Sequence, residues 1–461
     1  MALRSLSALL HPRLRPATCH LNVSQGRAFP SSVLRASVGL RPACHIHFKR
    51  IGPLAGNSCL SLGAAGRSTA FARYARSVGR GLTTDAAAAA VNPGQRAVGR
   101  WLVVCSGMVF AMVVLGGVTR LTKSGLSMVT WKPTSIKPPM TQEEWEAEFE
   151  MYKQFPEYQR KNQNMTVEEF KQIYFMEWLH RVWGRAIGGV FAVPLCYFAA
   201  RGYLAKPMLG KLCGIFLLGG LQGGMGWYMV KSGLDLPEGA EPRVSPYRLC
   251  AHLLAAFGIY SLTTWTAMDL LRQPATLAST VAEHSKTLQR SRHLALLTTG
   301  IVALTVVSGA FVAGNDAGRA YPEWPLMGGH FFPEEYWDEA MGYRNLFENV
   351  AAVQFDHRML AYTTIGAIAV MFVHTRRPGH SAATRRAAHA LAGMVGVQAT
   401  LGITTLLHNV PVALAACHQA GSLVLLTFSL WLLHTLRLAA PQAARRVAVG
   451  TRTAATPRSP P

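Results

Sequence analysis

Glu177-Trp-Leu-His180-Arg181-Val-Trp-Gly-Arg185 opens a long apolar segment and places a carboxylate, a histidine and two arginines where a membrane helix meets water. Residues three apart share one face of a helix, so Glu177 and His180 stand one turn apart. Ionisable groups at membrane depth are costly and mark functional positions. A second copy lies 177 residues downstream as Gln354-Phe-Asp356-His357-Arg358-Met-Leu-Ala-Tyr, with Gln354 where the first copy has Glu177.

The flanking segments repeat as well. Val114–Gly125 parallels Val307–Gly318, Trp131 parallels Trp324 at the same offset, and Gln222 and Gly226 parallel Gln398 and Gly402. With 50% hydrophobic and 15% charged residues among 461, the chain has more runs of bilayer-crossing length than a soluble core explains. Eight spans are predicted, near 101–118, 178–200, 212–230, 249–270, 294–314, 355–373, 387–407 and 412–436. Spans one to four match spans five to eight. A repeat unit with an even number of helices keeps its membrane orientation, so the two halves are related by an axis along the membrane normal. The expected fold is an all-α polytopic membrane protein of two pseudo-symmetric four-helix bundles.

Charge sets the orientation. Of the 23 acidic residues, all but Asp85, Asp269 and Glu283 lie in, or at helix ends facing, the loops after spans one, three and five. Arginines and lysines crowd the opposite loops, which by the positive-inside rule places both termini on the basic side. Residues 1–84 hold eleven arginines, one lysine and no acid, in a context rich in Ser, Ala and Gly. That profile fits a mitochondrial presequence and makes the basic side the matrix of the inner membrane. About half of the net charge of +23 belongs to this segment, so nucleic acid is not an expected partner, whereas membrane lipid is. The expected organisation is a presequence 1–84, a linker 85–100, an N-terminal bundle 101–270, a matrix linker 271–293, a C-terminal bundle 294–436 and a disordered basic tail 437–461. No C-x-x-C pair occurs among the eight cysteines, which argues against disulfide frameworks and thiolate metal sites.

His180, His252, His357 and His418 open spans two, four, six and eight. The repeat pairs His180 with His357 and His252 with His418, so each bundle owns two histidines on alternate helices at similar depth. Two imidazoles from facing helices can hold a haem plane between them. Zinc or copper is the weaker assignment, since zinc wants further protein ligands and only one half has a carboxylate beside its histidine. Arg181 and Arg358 could pair with haem propionates or anchor the chain at the membrane surface.

LGGVTRLTKSGLSM, EWLHRVWGR, YRLCAHL, VAGNDAG, FDHRMLAY and CHQAGSLVLL, in that order over about residues 97–436, resemble the haem A synthases of mitochondrial cytochrome oxidase assembly. The resemblance implies oxidation of the haem o methyl substituent to the formyl group of haem a, with haem o as substrate and haem a as product. It also implies a resident haem b in one bundle, the substrate haem in the other, and a ferredoxin-like electron donor in the matrix. Haem o synthase and oxidase assembly factors are possible further partners. Bacterial members often carry cysteine pairs in the external loops; this chain has none there.

Glu177 is the expected catalytic residue. It gives the first bundle a titratable group one turn from an iron ligand, whereas Gln354 gives the second a neutral amide, and methyl oxidation needs proton movement near the substrate. The N-terminal bundle is therefore assigned to the substrate and the C-terminal bundle to haem b; a helix-capping role is the competing reading of Glu177. The competing functions are a di-haem b transmembrane electron carrier, which would place its haems near opposite faces, and a haem transporter or assembly scaffold, which would need no carboxylate at the first site.

Overall fold

In lipid a backbone must satisfy its own hydrogen bonds, so apolar runs of membrane length fold as helices. The computed structural model describes residues 93–131, 137–235, 239–271 and 285–453, with side chains described to Leu436. The expected presequence, and most of the segment expected to be the matrix linker, lie outside these residues. Eight long helices are α1 (Pro93–Leu121), α2 (Val167–Ala200), α3 (Lys206–Leu234), α4 (Pro246–Leu271), α5 (Ser285–Gly314), α6 (Val350–Thr375), α7 (Ala382–Leu407) and α8 (Val412–Thr453). Each is long and apolar enough to cross a bilayer.

Several helices begin before the apolar run that announces them, because polar caps start them. Thr166 and Glu169 form a reciprocal capping box that starts α2 eleven residues ahead of Trp178. The added turns put Phe170 and Tyr174 against Phe149 and Tyr152 of a short helix, Gln142–Lys153, in the first large loop. Asn349 caps α6 by accepting from the N–H groups of Ala351 and Ala352, and Ser381 caps α7. α1 begins at Pro93, inside the segment expected to be linker. α8 runs to Thr453 and so covers with helix much of the segment expected to be a disordered tail.

In the N-terminal half, α1 packs on α2 and α4, and α3 packs on α2 and α4, giving a closed ring of four. α5 to α8 repeat that ring. Between the halves α1 meets α8, α4 meets α5, and α4 meets α8. A two-fold axis exchanging α1 with α5 and α4 with α8 maps this set of contacts onto itself. The outermost helices also correspond: α3 and α7 each bury only 11% of their most apolar window, as lipid-facing helices do.

One apolar cluster runs through the junction, from Val109 and Val113 of α1 through Phe257 and Tyr260 of α4 to Ile368, Leu391 and Leu423 in the other half. Polar contacts sew the same junction. Arg120 pairs with Asp316 at 3.1 Å and donates to the Ala313 carbonyl, Tyr260 bonds Thr427, and buried His434 bonds Asp269 at 2.9 Å.

Candidate haem-binding sites and their loop clamps

The four expected histidines fall on even-numbered helices, at diagonal corners of their rings. Each has a glycine behind it on an odd-numbered helix. Gly116 on α1 backs His180, Gly226 on α3 backs His252, Gly309 on α5 backs His357, and Gly402 on α7 backs His418. A methyl group added at any of the four would lie 2.9–3.1 Å from the ring Cε1, so the imidazole would have to give way. These glycines are required by close approach of an imidazole, and they recur at the spacing of the internal repeat.

The His357 and His418 rings stand nearly perpendicular, with centroids 6.5 Å apart. Metal–imidazole bonds run about 2 Å, and each ring nitrogen lies about 1 Å from its ring centre, so two rings facing across one metal ion have centres roughly 6 Å apart. The pair fits a bis-imidazole metal site of the haem type. His180 and His252 lie within electrostatic reach of each other in the first bundle. Among the described residues, no group of three or more His, Cys, Asp and Glu side chains converges as a metal site. Two-histidine sites leave the remaining coordination positions to a macrocycle.

The polar side chain one turn before each first histidine and the arginine directly after it build a clamp. Glu177, 3% exposed, takes Arg181 on Oε1 at 2.5 Å, and Ser127 Oγ at 2.8 Å and the Met128 N–H at 2.7 Å on Oε2. Arg181 also donates to the carbonyls of Met128 and Thr130. In the second copy, the Gln354 amide donates to the Ala317 carbonyl and accepts from Arg358, whose terminal nitrogens reach the carbonyls of Tyr321, Glu323, Pro325 and Leu326. Both arginines therefore tie the loop after the first helix of their half to the helix that bears the histidine. Arg181 also borders a cavity of about 240 Å³ with Thr130, Trp131, Trp227 and Lys231. The Nε of Arg358 is buried without a partner.

Residues 99–430 match the sequence profile of the COX15-CtaA family, described as cytochrome oxidase assembly protein. The chain is 45% identical over 433 residues to the heme A synthase COX15 of Arabidopsis thaliana, covering 91% of each chain. It is 47% identical to the human heme A synthase COX15, over 81% of this chain and 89% of that one. The heme A synthase of the bacterium Nitrosospira multiformis is also 47% identical, over 74% of this chain and 94% of its own. The chain belongs to the COX15-CtaA family.

Within this COX15-CtaA chain the two histidine pairs are held differently. The Ser308 hydroxyl lies 2.8 Å from both the Thr305 carbonyl and Nδ1 of His357; with its one proton on the carbonyl, its oxygen accepts from Nδ1. That bond fixes the tautomer and leaves the Nε2 lone pair for a metal. The Gln398 amide nitrogen lies 2.9 Å from the carbonyl oxygen of His418 and 3.2 Å from its Nδ1. In the first bundle Leu115 occupies the position of Ser308, and Gln222 reaches only the His252 carbonyl. Nδ1 of both His180 and His252 is buried and has no partner. The internal repeat sets Leu115-Gly116 against Ser308-Gly309 and Gly226 against Gly402, but spacing gives these residues no role, since each meets its histidine from another helix.

Proposed function

We propose that this chain is a haem A synthase of the mitochondrial inner membrane that oxidises the methyl substituent of haem o to the formyl group of haem a. His357 and His418 hold haem b in the C-terminal bundle, and His180 and His252 receive the substrate haem in the N-terminal bundle. The observation that carries this division of labour is the contrast at Nδ1. A ligand whose second nitrogen is already bonded is preorganised for permanent occupancy, as His357 is by Ser308. Rings whose Nδ1 atoms lack a partner, as in His180 and His252, suit a group that comes and goes.

When bound, haem b supplies one-electron redox chemistry. The chain's own residues do the rest. His180 and His252 would hold the substrate haem. Arg181, at the mouth of a cavity that also holds Lys231, is assigned to a substrate propionate, and the unpartnered Nε–H of Arg358 to a propionate of haem b. Glu177 is the titratable carboxylate of the substrate bundle. Methyl oxidation moves protons, and a buried carboxylate beside the site can exchange one through the Ser127 hydroxyl, while Arg181 holds the carboxylate in place.

The segregation of acidic and basic loops supports both termini in the matrix, with the histidine pairs toward the intermembrane space and a ferredoxin-like donor on the matrix side. Extraction of pigment from the purified protein tests the reading. Haem a or a hydroxylated haem alongside haem b is expected, and His357→Ala or His418→Ala should lower the haem b content. Haem b alone in the wild type would instead indicate an electron carrier, and haem b retained in both variants would move it to the other bundle.

A further inference from the structure

Among the residues that follow the ligands and their backing glycines, two departures from the internal symmetry fall at the junction of the bundles. In the C-terminal half His418 is followed by Gln419, and the equivalent His252 is followed by Leu253. The backing Gly116 is followed by Gly117, and the equivalent Gly309 by Ala310. All four lie on helices that meet at the junction of the bundles. Leu253 packs into the apolar cluster that contains Ala310. Gln419 instead crosses from α8 to α1 and donates from Nε2 to the Val113 carbonyl at 3.0 Å.

The glycine makes that crossing possible. In a regular helix the Val113 carbonyl points along the axis toward residue 117, and a side chain there would screen it. Gly117 leaves the carbonyl's second lone pair open to an outside donor. A Cβ at Gly117 would fall within the Gln419 amide, 2.7 Å from its Cδ. The chain thus has Leu253 in the apolar cluster of Ala310 on one side of the pseudo-two-fold axis and a polar, directional Gln419–Gly117 contact on the other.

We propose that Gln419 is a positioning residue that couples the two histidine pairs, fixing the haem b ligand His418 against Gly117, the neighbour of the Gly116 that backs His180. The proposal rests on the assignment of haem b to the C-terminal bundle and substrate to the N-terminal one. Gln419 touches neither haem in this reading. It joins adjacent residues of both sites through one side chain, and so sets the relative placement of donor and acceptor haems. An amide donor suits this task in a membrane interior because a carbonyl partner restricts it to one orientation, whereas apolar packing such as that of Leu253 permits sliding.

The test uses the full-length, haem-loaded protein and three variants: Gly117→Ala, Gln419→Leu, and the double variant, which installs the pair already present at Leu253 and Ala310. Electron paramagnetic resonance of the oxidised protein reports the orientation of axial imidazoles. Gly117→Ala lies in the N-terminal bundle, yet it should shift the haem b signal of the C-terminal bundle by displacing Gln419. The double variant should remove the clash and keep haem b at wild-type stoichiometry. Its haem a formation should still fall on the order of tenfold or more at unchanged KM for haem o, since misplacement of reacting groups costs rate. If Gly117→Ala does not accumulate, Gln419→Leu alone carries the same expectation for rate. An unshifted haem b signal in Gly117→Ala, or wild-type product formation by the double or Gln419→Leu variant, overturns the coupling. Loss of haem b from His180→Ala instead of His357→Ala overturns the site assignment, and it leaves the spectral link between Gly117 and His418 standing.

Discussion

Glu177 meets Arg181 at 2.5 Å, one helical turn away, and the same two positions in the second half are Gln354 and Arg358 at 2.8 Å. One geometry is therefore realised once with a carboxylate and once with an amide. In both copies the acidic or amide side chain and the arginine together grip the loop that follows the first helix of the half. The carboxylate adds charge to a clamp that works without it.

Glu177→Gln should consequently fold, retain haem b and keep the clamp, because Gln354 already performs that part. Its turnover of haem o should drop about 10²-fold, as removal of a general acid/base does. Haem o or a hydroxylated intermediate should accumulate in the extracted pigment. Normal haem a formation by this variant would remove catalysis from Glu177 and leave it a structural tie.

Ser308→Ala deletes the acceptor that fixes the His357 tautomer. Loss of such an outer partner typically weakens metal affinity by 10–100-fold, or about 1.4–2.8 kcal/mol. Haem b should be lost faster on dilution or competition with apo-myoglobin, with the fold intact by circular dichroism. The mirror change Leu115→Ser should tighten haem retention in the N-terminal bundle. Equal haem b retention in wild type and Ser308→Ala would show that tautomer control does not distinguish the two sites.

Arg358 is 6% exposed and bonds four loop carbonyls as well as Gln354. Arg358→Ala strips those acceptors of their donor, and one buried acceptor left unpaired costs roughly 1–3 kcal/mol. The 321–326 segment should become protease-sensitive, with a lowered Tm. Arg358→Lys should recover part of the loss, since a point charge replaces a planar fork. Unaltered proteolysis in Arg358→Ala would rule out the clamp.

The first large loop carries its own titrating group. Glu157 is 5% exposed and bonds the Tyr152 hydroxyl at 3.0 Å, and Asn162 donates to the same hydroxyl at 2.7 Å. Burial, reinforced by the charge of Glu177 and opposed by Tyr152, Lys161 and Lys123, pushes the Glu157 carboxyl up to about 7. The folded loop then holds a proton that the unfolded loop releases near the ordinary value of 4.5. Stability from this group is full below about pH 4.5 and is lost as pH rises through about 7, by on the order of 1–3 kcal/mol. Hydrogen exchange of 142–161 should accelerate between pH 5 and 8 beyond its intrinsic base catalysis. Glu157→Gln should flatten that excess, and an excess of wild-type size in the variant would exclude Glu157 as its source.

Periodicity and charge in the sequence determined the number of spans, the two-fold repeat and the four histidines, because apolar length and ionisable residues at membrane depth are local properties. The difference between Glu177 and Gln354 was legible for the same reason. Helix starts were less so: Thr166 and Asn349 begin α2 and α6 through polar caps that an apolar-run criterion passes over. Only the tertiary structure decided what stands behind each imidazole, since Gly116 meets His180 from another helix. It also decided that Arg181 and Arg358 spend their hydrogen bonds on loop carbonyls and that Ser308 orients His357 where Leu115 leaves His180 without a partner. These contacts join residues more than thirty positions apart at distances near 3 Å, and one-dimensional patterns carry no information on which side chains meet there.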